Sequence, residues 1–205
     1  MKLNKFEFLL MNNPVRSFIQ EMHEVRVLRS MTSIGNIDRA LEIGCGNGYG
    51  TKLIKKYFNP KRIDAVDLDE KMIDIAKRKN GDSSIHYEVM DASRLSFSDN
   101  MFDAIFDFGI IHHIPNWRDC ISEMNRVLKA GGEAILEELS TDTFKTLPGR
   151  MWKGLLDHPY DKMFSTTEFV EGLVAGGFTL GGFRESYALR LFKHFSIVAR
   201  KQSVS

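Results

Sequence analysis

The chain has 205 residues, of which 43% are hydrophobic, so it is long enough for one full core and short for two. Its 28 basic and 27 acidic residues give a net charge of +1, which argues against a general attraction to nucleic acid. Only two cysteines occur, the first residues lack the apolar region of a signal peptide, and no apolar run reaches membrane-spanning length. We therefore expect a cytoplasmic protein without disulfides and, because no Cys/His cluster has zinc spacing, without a metal.

The first 36 residues are expected to form a helical cap. Asn12-Asn13-Pro14 is typical of a helix start, and apolar residues recur at helical spacing from Val15 to Leu28. Such a helix either packs on the domain or acts as a lid over a filled site. A third alternative is contact with a membrane to reach a lipid acceptor.

A glycine loop follows the first predicted strand, Arg39 to Ile43. The stretch reads Glu42-Ile43-Gly44-Cys45-Gly46-Asn47-Gly48, and a helix is predicted from residue 51 to residue 58. Glycine permits positive φ and lets a ligand approach the backbone, while the helix N-terminus offers free N–H groups. This predicts a nucleotide-cofactor site. The dinucleotide fingerprint is not met, because its third glycine position holds Tyr49 or Thr51.

Carboxylates follow the next two predicted strands. Asp67 lies in the strand from residue 62 to residue 68, a little over 20 residues past the first glycine, where an acid reaches ribose hydroxyls. Its two oxygens match two vicinal donors, although it is also suited to cap the helix predicted over 69–79. Asp91, with Ala92, follows the strand 85–89 and is placed either to accept from an adenine amine or to form a turn.

The second half of the chain predicts two more strands, a helix after each of them and a closing hairpin. The nearly all-apolar run Phe102 to Phe108 is typical of a strand at the sheet centre. Gly131-Gly132 is expected to cap the next helix before a fifth strand over 134–136. Ser165 and Glu168 predict a capping box for a helix that runs to residue 175, and strands over 179–187 and 194–200 should pair.

In this order, the motifs resemble those of the class I (Rossmann-like) S-adenosylmethionine (SAM)-dependent methyltransferases, in their small-molecule branch. The motifs are Glu42 to Gly48, Val66 to Asp69, Met90 to Ala92, Phe102 to Ile114 and Val127 to Gly132. The resemblance implies an α/β, doubly wound, mostly parallel seven-stranded sheet whose last strand is antiparallel. It also implies a single domain over 1–205, made of a cap (1–36), a SAM-binding core (37–138), a substrate-side insertion (139–164) and a closing helix and hairpin (165–205).

The resemblance also implies a role for individual residues. The loop around the methionine part of SAM would be shaped by Gly44, Gly46 and Gly48, with Cys45 as a small filler whose backbone matters. Glu42 would hold this loop or reach the amino group of SAM through water, and Asp67 would take the ribose hydroxyls. Adenine would meet Leu68, Asp91 and Ala92, and Phe108 would line the methionine arm.

In-line methyl transfer requires alignment more than acid or base catalysis. A hydroxyl acceptor also needs a base of near-neutral pKa, for which histidine is suited, whereas a thiolate or metalloid acceptor needs none. His112 and His113 lie where the substrate mouth is expected, and either one is a base or both are structural. His158 and Tyr160 are second candidates, the alternative being that they pack within a lid.

We therefore expect a methyltransferase that uses SAM, with S-adenosylhomocysteine as product, to methylate a small, partly apolar acceptor. Asp107-Phe108-Gly109-Ile110 stands where family members that methylate base amines carry Asn/Asp-Pro-Pro-Tyr or Phe, which argues against such acceptors. Two alternatives remain: an RNA or protein methyltransferase that uses the basic clusters at 52–62 and 71–79, or a module that binds SAM without turnover.

Overall fold

The computed structural model describes residues 24–145, 160–188 and 192–202, and its centre is a seven-stranded sheet in the order β3-β2-β1-β4-β5-β7-β6. The strands are β1 Arg39–Ile43, β2 Arg62–Asp67, β3 Ile85–Val89, β4 Phe102–Phe108, β5 Leu128–Glu138, β6 Phe178–Ala188 and β7 Phe192–Lys201. The helices are α1 Val25–Met31, α2 Tyr49–Phe58, α3 Glu70–Lys79, α4 Trp117–Val127 and α5 Thr166–Ala175. Short 3-10 turns lie at Ile111–His113, Thr143–Lys145 and Tyr160–Lys162.

The strand directions confirm the expected fold. Strands β3, β2, β1, β4 and β5 are paired in parallel, and β7 is antiparallel to both β5 and β6. The chain builds β1 to β3 outward on one side and then returns to place β4 on the other side of β1. The strand order therefore reverses between β1 and β4, which leaves a crevice beyond the carboxyl ends of these strands.

Helices cover both faces of the sheet, because successive residues of a buried strand point to opposite faces. On β4, Ile105 packs into a core with Trp117 of α4 and Phe169 of α5, whereas Phe106 packs into a core with Val25 of α1 and Ile54 of α2. This two-sided burial explains why β4 is apolar almost throughout. Among the described residues, no helix combines the length and the apolar character needed to cross a bilayer.

The double glycine does not cap a helix, contrary to the sequence prediction. Helix α4 ends at Val127, and Gly131 and Gly132 lie within β5, which is longer than predicted. Gly131 has a φ of 75°, and a Cβ on Gly132 would lie 2.8 Å from the carbonyl oxygen of Asp103. The glycines thus let β5 bulge closely against β4, where the register between the two strands shifts.

The helical cap is shorter at its C-terminal end than predicted. Helix α1 ends at Met31, and Thr32 is already extended, while the predicted helix start at Asn12-Asn13-Pro14 lies outside the described residues. The Thr32 hydroxyl donates to Glu133 of β5, which ties the end of α1 to the sheet. The start of β1 is anchored separately, by the backbone N–H of Arg39, which donates to Asp103 at 2.8 Å.

Helix α5 begins where the sequence placed it. The Ser165 hydroxyl accepts from the Glu168 N–H at 3.2 Å, and the Ser165 N–H donates to the Glu168 carboxylate at 2.7 Å, which confirms the capping box. The helix packs closely on α4, because a Cβ on Gly172 would lie 2.6 Å from the Trp117 ring.

Candidate functional site

A cleft opens at the carboxyl ends of the central strands, beside the point where the strand order reverses. Together with the open solvent at its mouth, the space between its walls is about 1300 Å³. All of the residues predicted to contact the cofactor line it, except Gly48.

The glycine loop between β1 and α2 owes its shape to three positive φ angles, at Gly44 (66°), Gly46 (52°) and Gly48 (81°). A Cβ on Gly44 would collide with the side chain of Ile110, so this glycine allows the loop to pack on the segment after β4. A Cβ on Gly46 would meet nothing within 4 Å, so its backbone stays open to a ligand. Gly48 instead forms the N-cap of α2, packed under Asn80, which explains its absence from the cleft wall.

Asp67 at the end of β2 closes the loop. Its Oδ2 accepts from the Gly46 N–H at 2.8 Å, and its Oδ1 accepts from the Asp69 N–H at 2.8 Å. Each carboxylate oxygen has two lone pairs, so each retains one for a further donor. Burial raises the pKa of Asp67, and the two backbone N–H groups oppose that rise. The alternative that Asp67 caps α3 is wrong, because Asp69 is the N-cap and accepts from the Lys71 N–H.

Glu42 lies beneath the loop in the floor of the cleft, with its side chain almost fully buried. Its Oε2 accepts from the Thr51 hydroxyl at 2.5 Å, and burial raises its pKa to about 8. A Cβ on Gly50 would collide with Oε1 of Glu42, so glycine at position 50 lets the first turn of α2 lie against this carboxyl group. The sequence prediction missed both Thr51 and Gly50, although the glycine was a visible signal.

An apolar and a polar group flank the far end of the cleft. The side chain of Leu68 is 48% exposed and lines the cleft, where it suits a flat apolar ligand surface. Oδ1 of Asp91 accepts from the N–H and the hydroxyl of Ser93, at 2.9 and 2.7 Å, and Oδ2 takes part in neither bond. Asp91 therefore forms the predicted turn and still has an oxygen to offer a ligand.

The two adjacent histidines occupy different positions relative to the cleft. Both lie on the 3-10 turn after β4, but only His113 lines the cleft, and His112 is buried behind it. Their ring centroids are 4.1 Å apart with an angle of 35° between the rings. His112 Nδ1 is 2.6 Å from Oε2 of Glu138, at the end of β5. The sequence prediction missed this partner, which only the register of β4 against β5 brings to the turn.

The second pair of candidate residues is not brought to the cleft wall. His158 lies outside the described residues. Tyr160 is half-buried and packs edge-to-face on Phe144, with ring centroids 5.1 Å apart, and it is not among the residues that line the cleft.

The fold and the cleft together define an α/β protein with a cleft at the point where the strand order of its sheet reverses. A family model described as a methyltransferase domain matches residues 41–136, which include the glycine loop, Asp67, Asp91 and both histidines of the turn. The match covers 96 of the 205 residues, and over them the chain is similar to a methyltransferase domain.

The relatives extend this comparison. Demethylmenaquinone methyltransferase from Staphylococcus aureus (strain JH9) is 33% identical over 136 residues, which are 64% of this chain and 55% of that protein. The chain thus matches about half the length of this relative. A chain from the complex between the Haloferax volcanii Trm112 methyltransferase activator and a protein assigned as a methyltransferase has a TM-score of 0.79 at 15% identity, over 93% of this chain and 95% of that one. A SAM-dependent methyltransferase from Mesorhizobium loti has a TM-score of 0.73 at 18% identity, over 89% of this chain and 100% of that one. These structural likenesses show the fold.

Proposed function

We propose that this protein moves a methyl group from SAM to a small, partly apolar acceptor. The observation that carries the proposal is the position of Asp67, whose two oxygens close the glycine loop and each retain a lone pair beside the cleft. A carboxylate in this state fits two vicinal ribose hydroxyls. The open backbone at Gly46 and the carboxyl group of Glu42 fit the amino acid part of the same cofactor.

When bound, SAM supplies a methyl group on a positively charged sulfur, and its transfer leaves S-adenosylhomocysteine. The protein's own part is to hold and align the reactants, which can contribute several kcal/mol to a bimolecular step. Asp67 and the glycine loop fix the nucleoside and amino acid ends. The buried ring of Phe108 and the side chain of Ile110 line the cleft between those ends and the turn after β4, and they exclude water there.

The acceptor side of the cleft is apolar with two polar groups. It is lined by Ile110, His113, Ile114, Pro115 and Asn116. This composition favours a small acceptor with an apolar body, and the Staphylococcus aureus relative is named for such a molecule, demethylmenaquinone. With a hydroxyl acceptor, an imidazole nitrogen of His113 takes the hydroxyl proton as the acceptor oxygen is methylated. His113 is better placed for this than His112, because His112 does not line the cleft.

The test is to incubate the protein with methyl-labelled SAM and fractionated cell extract, and to follow the label. We expect label in small molecules with the wild-type protein, and little with Asp67→Asn. Label in RNA or protein would overturn the proposed acceptor class. If S-adenosylhomocysteine binds but no fraction is labelled, the protein is a binding module and the proposed activity is wrong.

A further inference from the structure

A buried carboxyl group organises the turn that carries the two histidines. The Glu138 side chain is fully buried at the end of β5, and three backbone N–H donors and one ring nitrogen of His112 surround it. Its Oε1 accepts from the N–H groups of Ile111 (2.5 Å) and His112 (3.3 Å), and its Oε2 accepts from the N–H of Leu139 (3.0 Å) and lies 2.6 Å from His112 Nδ1. Such a set of donors suits a carboxylate and leaves little room for a proton on it.

A second carboxyl group, that of Asp107, lies next to Glu138 at the end of β4. It is also fully buried, and its Oδ1 accepts from the Ile110 N–H at 2.9 Å. Burial and the negative charge of Glu138 raise the pKa of Asp107 well above its usual range. Burial raises the pKa of Glu138 too, but Asp107 and the backbone N–H groups around it oppose that rise. When the pair holds one proton, that proton therefore resides on Asp107, and Glu138 carries the charge.

The tilted pair of histidine rings connects this carboxyl group to the wall of the cleft. A carboxylate at 2.6 Å keeps the proton of His112 on Nδ1 and fixes the plane of the ring. Behind that ring, Gly109 has a φ of 83°, and a Cβ there would lie 3.8 Å from Cε1 of His112. In front of it, the His113 ring is tilted on His112 at 4.1 Å and lines the cleft.

We propose that Glu138 and His112 form a positioning pair, which sets the orientation and the proton affinity of His113 at the acceptor end of the cleft. The proposal rests on the proposed function for the role of His113, and it goes beyond it by assigning two buried residues that touch neither cofactor nor acceptor. The negative charge of Glu138 acts on His113 through His112. The ring of His112, held in place by Glu138, also fixes the orientation of the His113 ring.

The titratable groups that face the pair come from each element packed against it. They are Asp107 on β4 and Cys120 on α4, with Asp91, after β3, and Glu123, on α4, close enough to act on the Cys120 thiol. Burial raises the pKa of Cys120 well above its usual value, so this thiol stays neutral. Because Asp107 and Cys120 hold their protons, Glu138 carries the charge that a substitution can remove.

The first test needs no acceptor, because nitrogen NMR of the histidine rings reports tautomer and titration directly. In the wild-type protein we expect His112 to carry its proton on Nδ1. Finding that proton on Nε2, with Nδ1 bare, would overturn the proposal without any variant having to fold.

The second test compares titration curves of His113. Glu138→Gln removes the charge, and ionisation of Asp107 compensates only in part. The midpoint of His113 should therefore fall by about 0.5–1 pH unit, which is roughly a three- to tenfold loss of proton affinity. The matched control is Glu133→Gln, a buried glutamate of the same strand whose carboxylate pairs with Arg200 at 2.6 Å, far from the turn. It should leave the midpoint unchanged, and equal shifts in both variants would overturn the proposal.

The third test asks whether Glu138 acts through His112. His112→Asn keeps a donor near the Nδ1 position but removes the stacked ring. In that background, Glu138→Gln should cause little further shift of His113. A full additional shift would mean that the charge acts directly on His113, and His112 would lose its assigned role. Failure of the proposed methyl transfer is a separate result, because it would show in the labelling experiment and not in these titrations.

Discussion

Replacing Asp67 by asparagine separates the two tasks of this carboxylate. Its oxygens now accept from the N–H groups of Gly46 and Asp69, both at 2.8 Å. Asparagine has one carbonyl oxygen and one NH₂ group, so in either orientation one backbone N–H faces another donor. The variant therefore loosens the glycine loop on one side and halves the number of acceptors left for a ribose.

The magnitude follows from the bonds that are lost. A hydrogen bond to a charged group contributes about 1.5–3 kcal/mol, so loss of one such bond to the ligand weakens binding by roughly 10- to 150-fold. The broken contact with Gly46 or Asp69 lowers the free energy of unfolding of the ligand-free protein by about 1–3 kcal/mol. Both effects arise because one carboxylate oxygen of Asp67 is replaced by an NH₂ group, so they should appear together.

Isothermal titration calorimetry with S-adenosylhomocysteine, together with urea unfolding, measures both effects. The control is Asp82→Asn, because Asp82 is exposed, accepts from the Ser84 N–H at 2.8 Å and does not line the cleft. We expect the control to match the wild type in affinity. An Asp67→Asn protein that is folded and binds S-adenosylhomocysteine as tightly as the wild type would refute the assignment of this carboxylate to the ribose.

Three further substitutions test the local physics of the fold and the site. Gly44→Ala should lower the free energy of unfolding by about 1–3 kcal/mol, because the φ of Gly44 is 66° and a Cβ there would collide with Ile110. The control Gly35→Ala should have little effect, since a Cβ on Gly35 would have no atom within 4 Å. Equal melting temperatures for the two variants would contradict this. Burial raises the pKa of Glu42 from 4.5 to about 8, so the folded protein holds a proton that the unfolded chain releases, and the stability from this group is lost as pH rises between these values. Glu42→Gln should therefore flatten the fall in stability by up to about 1.4 kcal/mol per pH unit in urea unfolding, and an equally steep fall in the variant would disprove the burial argument. Ser165→Ala removes the N-cap of α5 and should cost about 1 kcal/mol in thermal unfolding, and no change in melting temperature would show that the cap is dispensable.

Elements governed by local chemistry could be predicted from the sequence. The bounds of β1 and β4 were predicted correctly, because a strand buried on both faces is a continuous apolar run between polar segments. The capping box of Ser165 and Glu168 was also predicted correctly, since it depends on two residues three positions apart.

Features that depend on contacts between distant segments could not be predicted in this way. Gly132 was expected to end a helix, but its role is to let β5 approach Asp103 on β4. The two adjacent histidines were equivalent in sequence, and only the pairing of β4 with β5 places Glu138 against His112 and leaves His113 in the cleft wall. The register between two strands cannot be predicted from the spacing of residues within one strand.

The most direct measurement of the central claim is a crystal structure of the protein grown with S-adenosylhomocysteine. We predict that the adenosyl group lies in the cleft, with its ribose hydroxyls within hydrogen-bonding distance of Asp67 and its amino acid part over Gly46. A ligand bound elsewhere, or bound in the cleft without contact to Asp67, would contradict the account.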